Sequence, residues 1–161
     1  MNYNVAKISL LLTICFCFSQ ISAQVYGEHG MVVTSNKLAS QTGIDILQKG
    51  GNAIDASIAT AFALAVTHPA AGNIGGGGFL VYMNSSGAVT TIDFREKAPL
   101  AATANMFLDN EGKLIEDLNH NSIKAIGVPG TVAGLFLAHR KYGKLPWSVL
   151  IQPSIDLAQK G

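Results

Sequence analysis

The first elements that the hydrophobic pattern predicts are a strand and a helix. The short apolar run Met31–Thr34 is bounded by glycine and polar residues, which is typical of a buried strand. Apolar positions then recur at helical spacing and predict one buried helix face. These positions are Ala39, Gly43, Ile46 and Leu47. Gly50-Gly51 supplies the conformational freedom that commonly ends a helix.

A second helix is predicted directly after this glycine pair. Asn52 can cap it, and Asp55 stands three positions later, as in a capping box. From Ala53 to Val66 the segment is apolar nearly all round, which predicts a helix in the interior of a layered fold. His68-Pro69 should end it, because proline disfavours helical geometry in the residue before it.

A glycine run then leads into a predicted β-hairpin. Gly75–Gly78 is followed by the apolar segment Phe79–Met83, and Val89–Phe94 forms a second strand candidate. Asn84–Gly87 between them has the composition of a hairpin turn.

The last part of the chain predicts two further helices after an irregular stretch at about 103–122. Pro129-Gly130-Thr131 opens a helix that runs to about Tyr142. Pro146 can occupy the first turn of the next helix, and Pro153 is expected to break or restart it. A strand and two helices before the hairpin, and further helices after it, predict a mixed α/β fold with helices stacked on a sheet.

The N-terminal segment 1–23 has the pattern of a signal peptide. It combines an early Lys7, the apolar stretch Ile8–Phe18 and small residues that end at Ala23. The apolar stretch is about half the roughly 20 residues that a membrane span needs. We therefore expect export to the periplasm or the extracellular space, with 24–161 as the mature part.

Composition excludes several classes of function. The 161 residues carry a formal net charge of +1 and no basic stripe, so nucleic acid is not expected as a partner. Both cysteines, Cys15 and Cys17, lie within the signal segment, which leaves no thiol for disulfides or catalysis in the mature chain. The four histidines lack metal-ligand spacing, so neither a metal nor another cofactor is predicted.

Two local features could carry chemistry. Gly75–Gly78 is not a Walker loop, because Phe79 starts a strand where that motif needs Lys and a helix. It indicates either close backbone packing or the lining of a site. The charged sequence that follows the second strand places Arg95 and Glu96 at a strand end. This arrangement suits a solvated edge or a carboxylate clamp, since a guanidinium can bind a carboxylate through two hydrogen bonds.

No nucleophile is recognisable. The chain has no G-x-S-x-G elbow, and its threonines are all internal, whereas a threonine that uses its own amine as base must begin a chain.

Five sequence blocks, taken in order, resemble gamma-glutamyltranspeptidases (glutathione hydrolases). They are Gly50-Gly51-Asn52-Ala53-Ile54-Asp55-Ala56, Thr67-His68-Pro69, Gly72-Asn73-Ile74-Gly75-Gly76-Gly77-Gly78-Phe79, Asp93-Phe94-Arg95-Glu96-Lys97-Ala98-Pro99 and Gly127-Val128-Pro129-Gly130-Thr131-Val132-Ala133-Gly134. The similarity extends from Gly30 to Gly161 and corresponds to the N-terminal part of the family's large subunit, an incomplete domain.

The resemblance implies an N-terminal-nucleophile hydrolase with a four-layer αββα sandwich, of which this chain holds a part. Such enzymes are made as precursors that cleave themselves into a large and a small subunit. The threonine that begins the small subunit attacks gamma-glutamyl amides such as glutathione, and the gamma-glutamyl group passes to water or to amino-acid or peptide acceptors. The partners implied are the rest of the large subunit and the small subunit, and this chain alone is expected to be inactive.

The resemblance also assigns substrate-binding residues. Arg95 matches the arginine that holds the alpha-carboxylate of the gamma-glutamyl group, and Glu96 matches a neighbouring acid that either orients Arg95 or receives the donor's ammonium group. No catalytic residue is assigned within this chain. Two other functions stay open: a beta-lactam side-chain acylase of the same fold, and a non-catalytic binding fragment.

Overall fold

The computed structural model describes residues 26–160, and the chain divides into two compact units between Met31 and Val32. Every helix and strand described below belongs to the second unit. In chain order these elements are α1 (Lys37–Gln48), α2 (Ala53–Thr67), β1 (Phe79–Met83), β2 (Val89–Asp93), a 3-10 turn (Ile123–Ala125), α3 (Thr131–Tyr142) and α4 (Trp147–Lys160). The fold is mixed α/β, as the sequence predicts.

The helix pair α1–α2 forms as predicted. In α1, Ala39, Gly43 and Ile46 are buried on one face, and the chain leaves the helix through Gly50 with φ +85°. The side chain of Asn52 accepts hydrogen bonds from the amides of Ile54 and Asp55, both at 3.0 Å. The Asp55 carboxylate in turn accepts from the Asn52 amide at 3.0 Å, which completes the capping box.

Asp55 also links α2 to the distant connection between α3 and α4. Its fully buried carboxylate accepts hydrogen bonds from the backbone amides of Lys144 and Leu145, at 3.0 and 3.3 Å. The side-chain amide of Asn52 donates to the Tyr142 carbonyl at 2.7 Å. The residues that cap the N-terminus of α2 therefore also fix the C-terminal end of α3.

The core lies where α2 packs against α1 and α4. Trp147 makes edge-to-face contacts with Phe62 of α2 and Phe136 of α3, with ring centroids 5.6 and 5.3 Å apart. The buried apolar cluster consists of Ile46, Ile54, Ala56, Ile58, Ala59, Ile92, Leu135, Ala138 and Leu150. The all-round apolar α2 is thus interior, as predicted, but helices are its main neighbours.

The hairpin pairs β1 with β2 in an antiparallel register that sets Leu80 opposite Ile92. The side chain of Asn84 accepts from the amides of Ser86 and Ala88 and shapes the predicted turn. One face of the hairpin packs on the helices, where the rings of Tyr82 and Tyr142 lie 4.9 Å apart. The opposite face is exposed in this chain.

The predicted break at Pro153 is wrong. Helix α4 continues from Trp147 to Lys160 through this proline. Proline removes one helix hydrogen bond and crowds the preceding turn. Burial of Leu150 and Ser154 on either side holds the helix against its neighbours, so packing outweighs the local preference. Helix α3, by contrast, begins after Gly130 and ends before Gly143 as predicted.

The predicted strand at Met31–Thr34 is also wrong. These residues form no strand, because no strand in the described part of the chain pairs with them, and Val33 is 80% exposed. The hydroxyl of Thr34 instead donates to the Asn36 carbonyl at 2.7 Å and turns the chain into α1.

The signal peptide predicted for residues 1–23 lies outside the described residues. Among the helices of residues 26–160, none combines the length and hydropathy that a membrane span requires.

Candidate functional site

Three segments, two of which contain glycine, meet beside the end of β2. The Phe94 amide donates to the Gly78 carbonyl at 3.0 Å, so the glycine run continues the hairpin ladder. On the other side, Lys97 and Val128 exchange two backbone hydrogen bonds of 3.2 and 2.8 Å. The segment 94–97 therefore lies between the glycine run and the residues that lead into α3. These are three of the blocks that carry the family resemblance.

Glycines occupy the points of closest approach. A Cβ atom on Gly77 would lie 2.7 Å from the Phe94 carbonyl oxygen and 2.8 Å from the Arg95 Cα. A Cβ atom on Gly130 would also meet the Phe94 carbonyl oxygen at an impossibly short distance. Only residues without a Cβ allow the three backbones to lie this close. Of the two interpretations left open for the glycine run, close packing accounts for Gly77.

The ring of Phe94 explains two further glycines. A Cβ atom on Gly78 would lie 2.9 Å from this ring, and one on Gly134 in α3 would overlap it. Gly75 differs from these, because nothing lies within 4 Å of its Cβ position. Packing therefore requires glycine in the later part of the run but not at its start.

Arg95 follows directly on β2 and presents its guanidinium on the surface. Its backbone amide donates to the Asp93 carboxylate at 2.9 Å, which fixes the main chain at the strand end. Its Nε donates to Glu96 at 3.2 Å, and the guanidinium lies over the Phe79 ring, 5.8 Å from the centroid. Within residues 26–160, the two terminal nitrogens of Arg95 make no hydrogen bond, and the side chain is 64% exposed.

Glu96 is the ion-pair partner of Arg95. The pKa of its carboxyl group lies below the ordinary value of 4.5, chiefly because its own backbone amide hydrogen-bonds to it. The side-chain hydrogen bond and charge of Arg95 and the backbone amide of Gly77 lower this pKa further. Glu96 is therefore ionised at neutral pH and holds the Nε edge of Arg95. The other edge of the guanidinium is left open.

Asn73 and Thr131 also belong to this arrangement, although no local sequence pattern marks them as site residues. The Thr131 hydroxyl donates to the Asn73 side-chain oxygen at 2.7 Å, although 58 residues separate them in sequence. Both stand inside the blocks that carry the resemblance, but neither type of residue signals a site by itself. Among the described residues, no group of three or more His, Cys, Asp or Glu side chains is arranged to hold a metal ion.

Comparisons with known proteins identify the family of this chain. A gamma-glutamyltranspeptidase family model matches residues 39–161. The chain is 54% identical over 139 residues to the glutathione hydrolase proenzyme of Pseudomonas sp. (strain A14), an alignment that covers 86% of this chain and 24% of the relative. The chain thus spans about a quarter of the length of the curated relatives it matches.

Solved structures define the fold class. The gamma-glutamyltranspeptidase of Helicobacter pylori superposes with a TM-score of 0.81 and 51% identity, covering 86% of this chain and 40% of that one. A cephalosporin acylase from Bacillus halodurans gives a TM-score of 0.72 and 32% identity, covering 85% and 25%. The fold is that of the N-terminal-nucleophile hydrolases, present in part. The chain belongs to the gamma-glutamyltranspeptidase family.

Proposed function

We propose that this chain is the N-terminal part of the large subunit of a gamma-glutamyltransferase (glutathione hydrolase) precursor. The assembled enzyme cleaves gamma-glutamyl amide bonds and transfers the gamma-glutamyl group to water or to amino-acid or peptide acceptors. The observation that carries this proposal is the meeting of three resemblance blocks around Arg95, within a chain that matches the family over residues 39–161.

Arg95 binds the alpha-carboxylate of the donor in this proposal. Its open Nη1–Nη2 edge presents two parallel donors, and a carboxylate accepts such a pair with both oxygens. Glu96 orients the guanidinium through Nε, which leaves the open edge for the donor. Of its two possible roles, orienting Arg95 is the one that its ion pair supports.

The rest of the enzyme supplies the chemistry. The nucleophilic threonine and the oxyanion donors belong to the small subunit, so the partners of this chain are the remaining large subunit and the small subunit. The chain by itself is inactive in this proposal, and no cofactor takes part. Residues 1–23 direct export to the periplasm or the extracellular space and are removed.

The test is donor kinetics of Arg95→Ala and Arg95→Lys in the complete, self-cleaved precursor. In the proposal, the bound donor and the rest of the enzyme desolvate Arg95, which is exposed in this chain. Loss of one partner from a desolvated charged pair costs about 2–5 kcal/mol, which corresponds to a loss of about 30- to several-thousand-fold in kcat/KM. Lysine keeps the charge but loses the two-pronged geometry, so it should rescue only part of this loss.

Arg140 provides the matched control, since it is the other arginine of the chain and lies exposed on α3. Arg140→Ala should leave donor kinetics within about 2-fold, as expected for an exposed charge. If Arg95→Ala is fully self-cleaved and has normal donor kinetics, Arg95 is an ordinary solvent-exposed residue at a strand end, and the proposal is contradicted.

The similarity to a protein named cephalosporin acylase supports a second candidate, an acylase for beta-lactam side chains. The two candidates differ in their need for Arg95, because an acyl group without an alpha-carboxylate has nothing for a guanidinium to bind. Activity on cephalosporin side chains that is insensitive to Arg95→Ala would favour the acylase. The third possibility, a non-catalytic binding fragment, predicts no activity in any assembled form.

A further inference from the structure

A hydrogen-bond network joins the start of α3 to the glycine run. The side-chain oxygen of Asn73 accepts from the Thr131 hydroxyl at 2.7 Å and from the Gly76 amide at 2.9 Å. The Gly76 carbonyl in turn accepts from the amides of Gly130 and Thr131, at 2.8 and 3.1 Å. Gly76 is therefore held on both its amide and its carbonyl side, and Thr131 contributes to both.

This network borders the main chain of Arg95. Gly77, the residue after Gly76, approaches so closely that its Cβ position is 2.8 Å from the Arg95 Cα. The Cβ position of Gly130 is also close, at 3.2 Å from the Arg95 carbonyl oxygen. The backbone that carries the guanidinium thus contacts Gly77 and Gly130, whose separation is set by the bonds to Gly76.

We propose that Thr131 is a positioning residue for Arg95. Its hydroxyl holds Asn73, Asn73 holds the glycine run, and the run and Gly130 together fix where the Arg95 side chain leaves the backbone. This inference rests on the proposed function, in which Arg95 binds the donor's alpha-carboxylate. Thr131 itself is buried and acts without touching the donor.

A merely structural hydroxyl would behave differently from a positioning one. If Thr131 serves only the stability of α3, its removal lowers stability but leaves donor recognition unchanged once the enzyme is folded. If it positions Arg95, its removal weakens donor binding, and this effect disappears when Arg95 has already been removed. Such non-additivity is the signature of two residues that act through one interaction.

The experiment measures donor KM and kcat with gamma-glutamyl p-nitroanilide, using the complete self-cleaved enzyme. Thr131→Val deletes the hydroxyl at nearly constant shape and should raise donor KM by about 3- to 10-fold, the equivalent of one neutral hydrogen bond, with kcat within about 2-fold. Thr131→Ser retains the hydroxyl and should stay near wild type. In an Arg95→Ala background, Thr131→Val should have no further effect.

Thr42→Val is the matched control. Thr42 is equally buried, and its hydroxyl donates to the Leu38 carbonyl within α1, away from the network. Donor KM should not change. If Thr131→Val prevents maturation, Asn73→Ala is assessed in the same way. Asn73 is less buried, and this variant deletes the hydrogen bond from Thr131 together with the one from the Gly76 amide.

The outcomes separate this inference from the proposed function. Normal donor KM in Thr131→Val, or an equal increase with and without Arg95, overturns the positioning role while the role of Arg95 stands. Failure of both Thr131→Val and Asn73→Ala to mature, when Thr42→Val matures, also overturns it, because the bond then serves maturation. Normal donor kinetics of Arg95→Ala contradicts the proposed function. The positioning role of Thr131 depends on that function and is then contradicted as well.

Discussion

Glycine at position 77 is required by contact with the backbone rather than by an unusual conformation. Gly77→Ala would press a methyl group against the Arg95 Cα and the Phe94 carbonyl, neither of which is a flexible side-chain end. We expect such overpacking to cost about 1–3 kcal/mol or to displace Arg95, and to raise donor KM. Gly75→Ala is the control, since its Cβ position is open and it should leave both stability and KM unchanged. Equal behaviour of the two variants in urea denaturation and donor kinetics would contradict this account.

The carboxyl pKa of Glu96 offers a second test at the residue scale. The largest cause of its lowering is the residue's own backbone amide, and Arg95 comes next. Arg95→Ala should therefore raise this pKa towards 4.5 without restoring it fully, whereas Arg140→Ala should leave it unchanged. Because the folded-state pKa is lowered, any stabilisation by the ionised carboxylate is present above about pH 4.5 and is lost as the pH falls through the folded value. A carboxyl-carbon NMR titration measures the shift, and an unchanged pKa in Arg95→Ala would refute the pairing.

Sequence reasoning succeeds for residues whose partners are close in the chain. The capping box of Asn52 and Asp55 follows from their spacing, and so does the hairpin turn closed by Asn84. The bonds from Asp55 to Lys144 and from Asn73 to Thr131 span 89 and 58 residues, and no local pattern encodes them. The role of Arg95 comes from resemblance, because composition alone does not distinguish a clamp from a solvated edge.

At the scale of elements, the dependence on partners that are distant in sequence explains both wrong predictions, the strand at Met31–Thr34 and the helix break at Pro153. An apolar run such as Met31–Thr34 becomes a strand only when another strand pairs with it, and none within residues 26–160 does. Pro153 would break an isolated helix, but α4 is held by its buried face. In each case tertiary contacts decide, and these are not written in the local sequence.

Asp55 forms a junction between the N-terminal cap of α2 and the connection between α3 and α4, and this junction gives a stability prediction. Asp55→Ala removes a buried carboxylate that accepts from the amides of Asn52, Lys144 and Leu145. The loss leaves three partly buried amides without this acceptor, and hydrogen bonds to a charged group are worth roughly 1.5–3 kcal/mol each, so the free energy of unfolding should fall by about 3–5 kcal/mol. Asp55→Asn keeps one acceptor oxygen and should lose less.

Asp156→Ala provides the comparison, because this aspartate accepts one exposed hydrogen bond from Gln152 within α4. It should cost no more than about 0.5 kcal/mol, the value of an exposed pair. Urea denaturation of the complete protein measures all three variants. A loss in Asp55→Ala no larger than that in Asp156→Ala would show that the junction contributes little.

At the scale of the whole molecule, one face of the hairpin has no packing partner within the described residues. The face away from the helices is apolar and exposed, with Val81 at 72% exposure. Its apolar members are Phe79, Val81, Met83 and Val89, and the paired positions Thr91 and Asp93 complete the face. In a four-layer αββα sandwich, helices cover one face of a sheet and a second sheet covers the other. The chain spans about a quarter of its relatives' length, and in the proposed function the rest of the precursor should cover this face.

Val81→Lys tests this expectation in the complete precursor. A lysine between two packed sheets would bury an unpaired charge, which costs several kcal/mol, so folding and self-cleavage should fail. Ser85→Lys lies in the exposed turn of the same hairpin and adds the same charge outside the expected interface, so this variant should mature normally. The fraction of precursor cleaved into two subunits, measured on a denaturing gel, compares the two. Normal cleavage of Val81→Lys would mean that this face stays in water in the assembled enzyme, and that the second sheet does not pack against the hairpin.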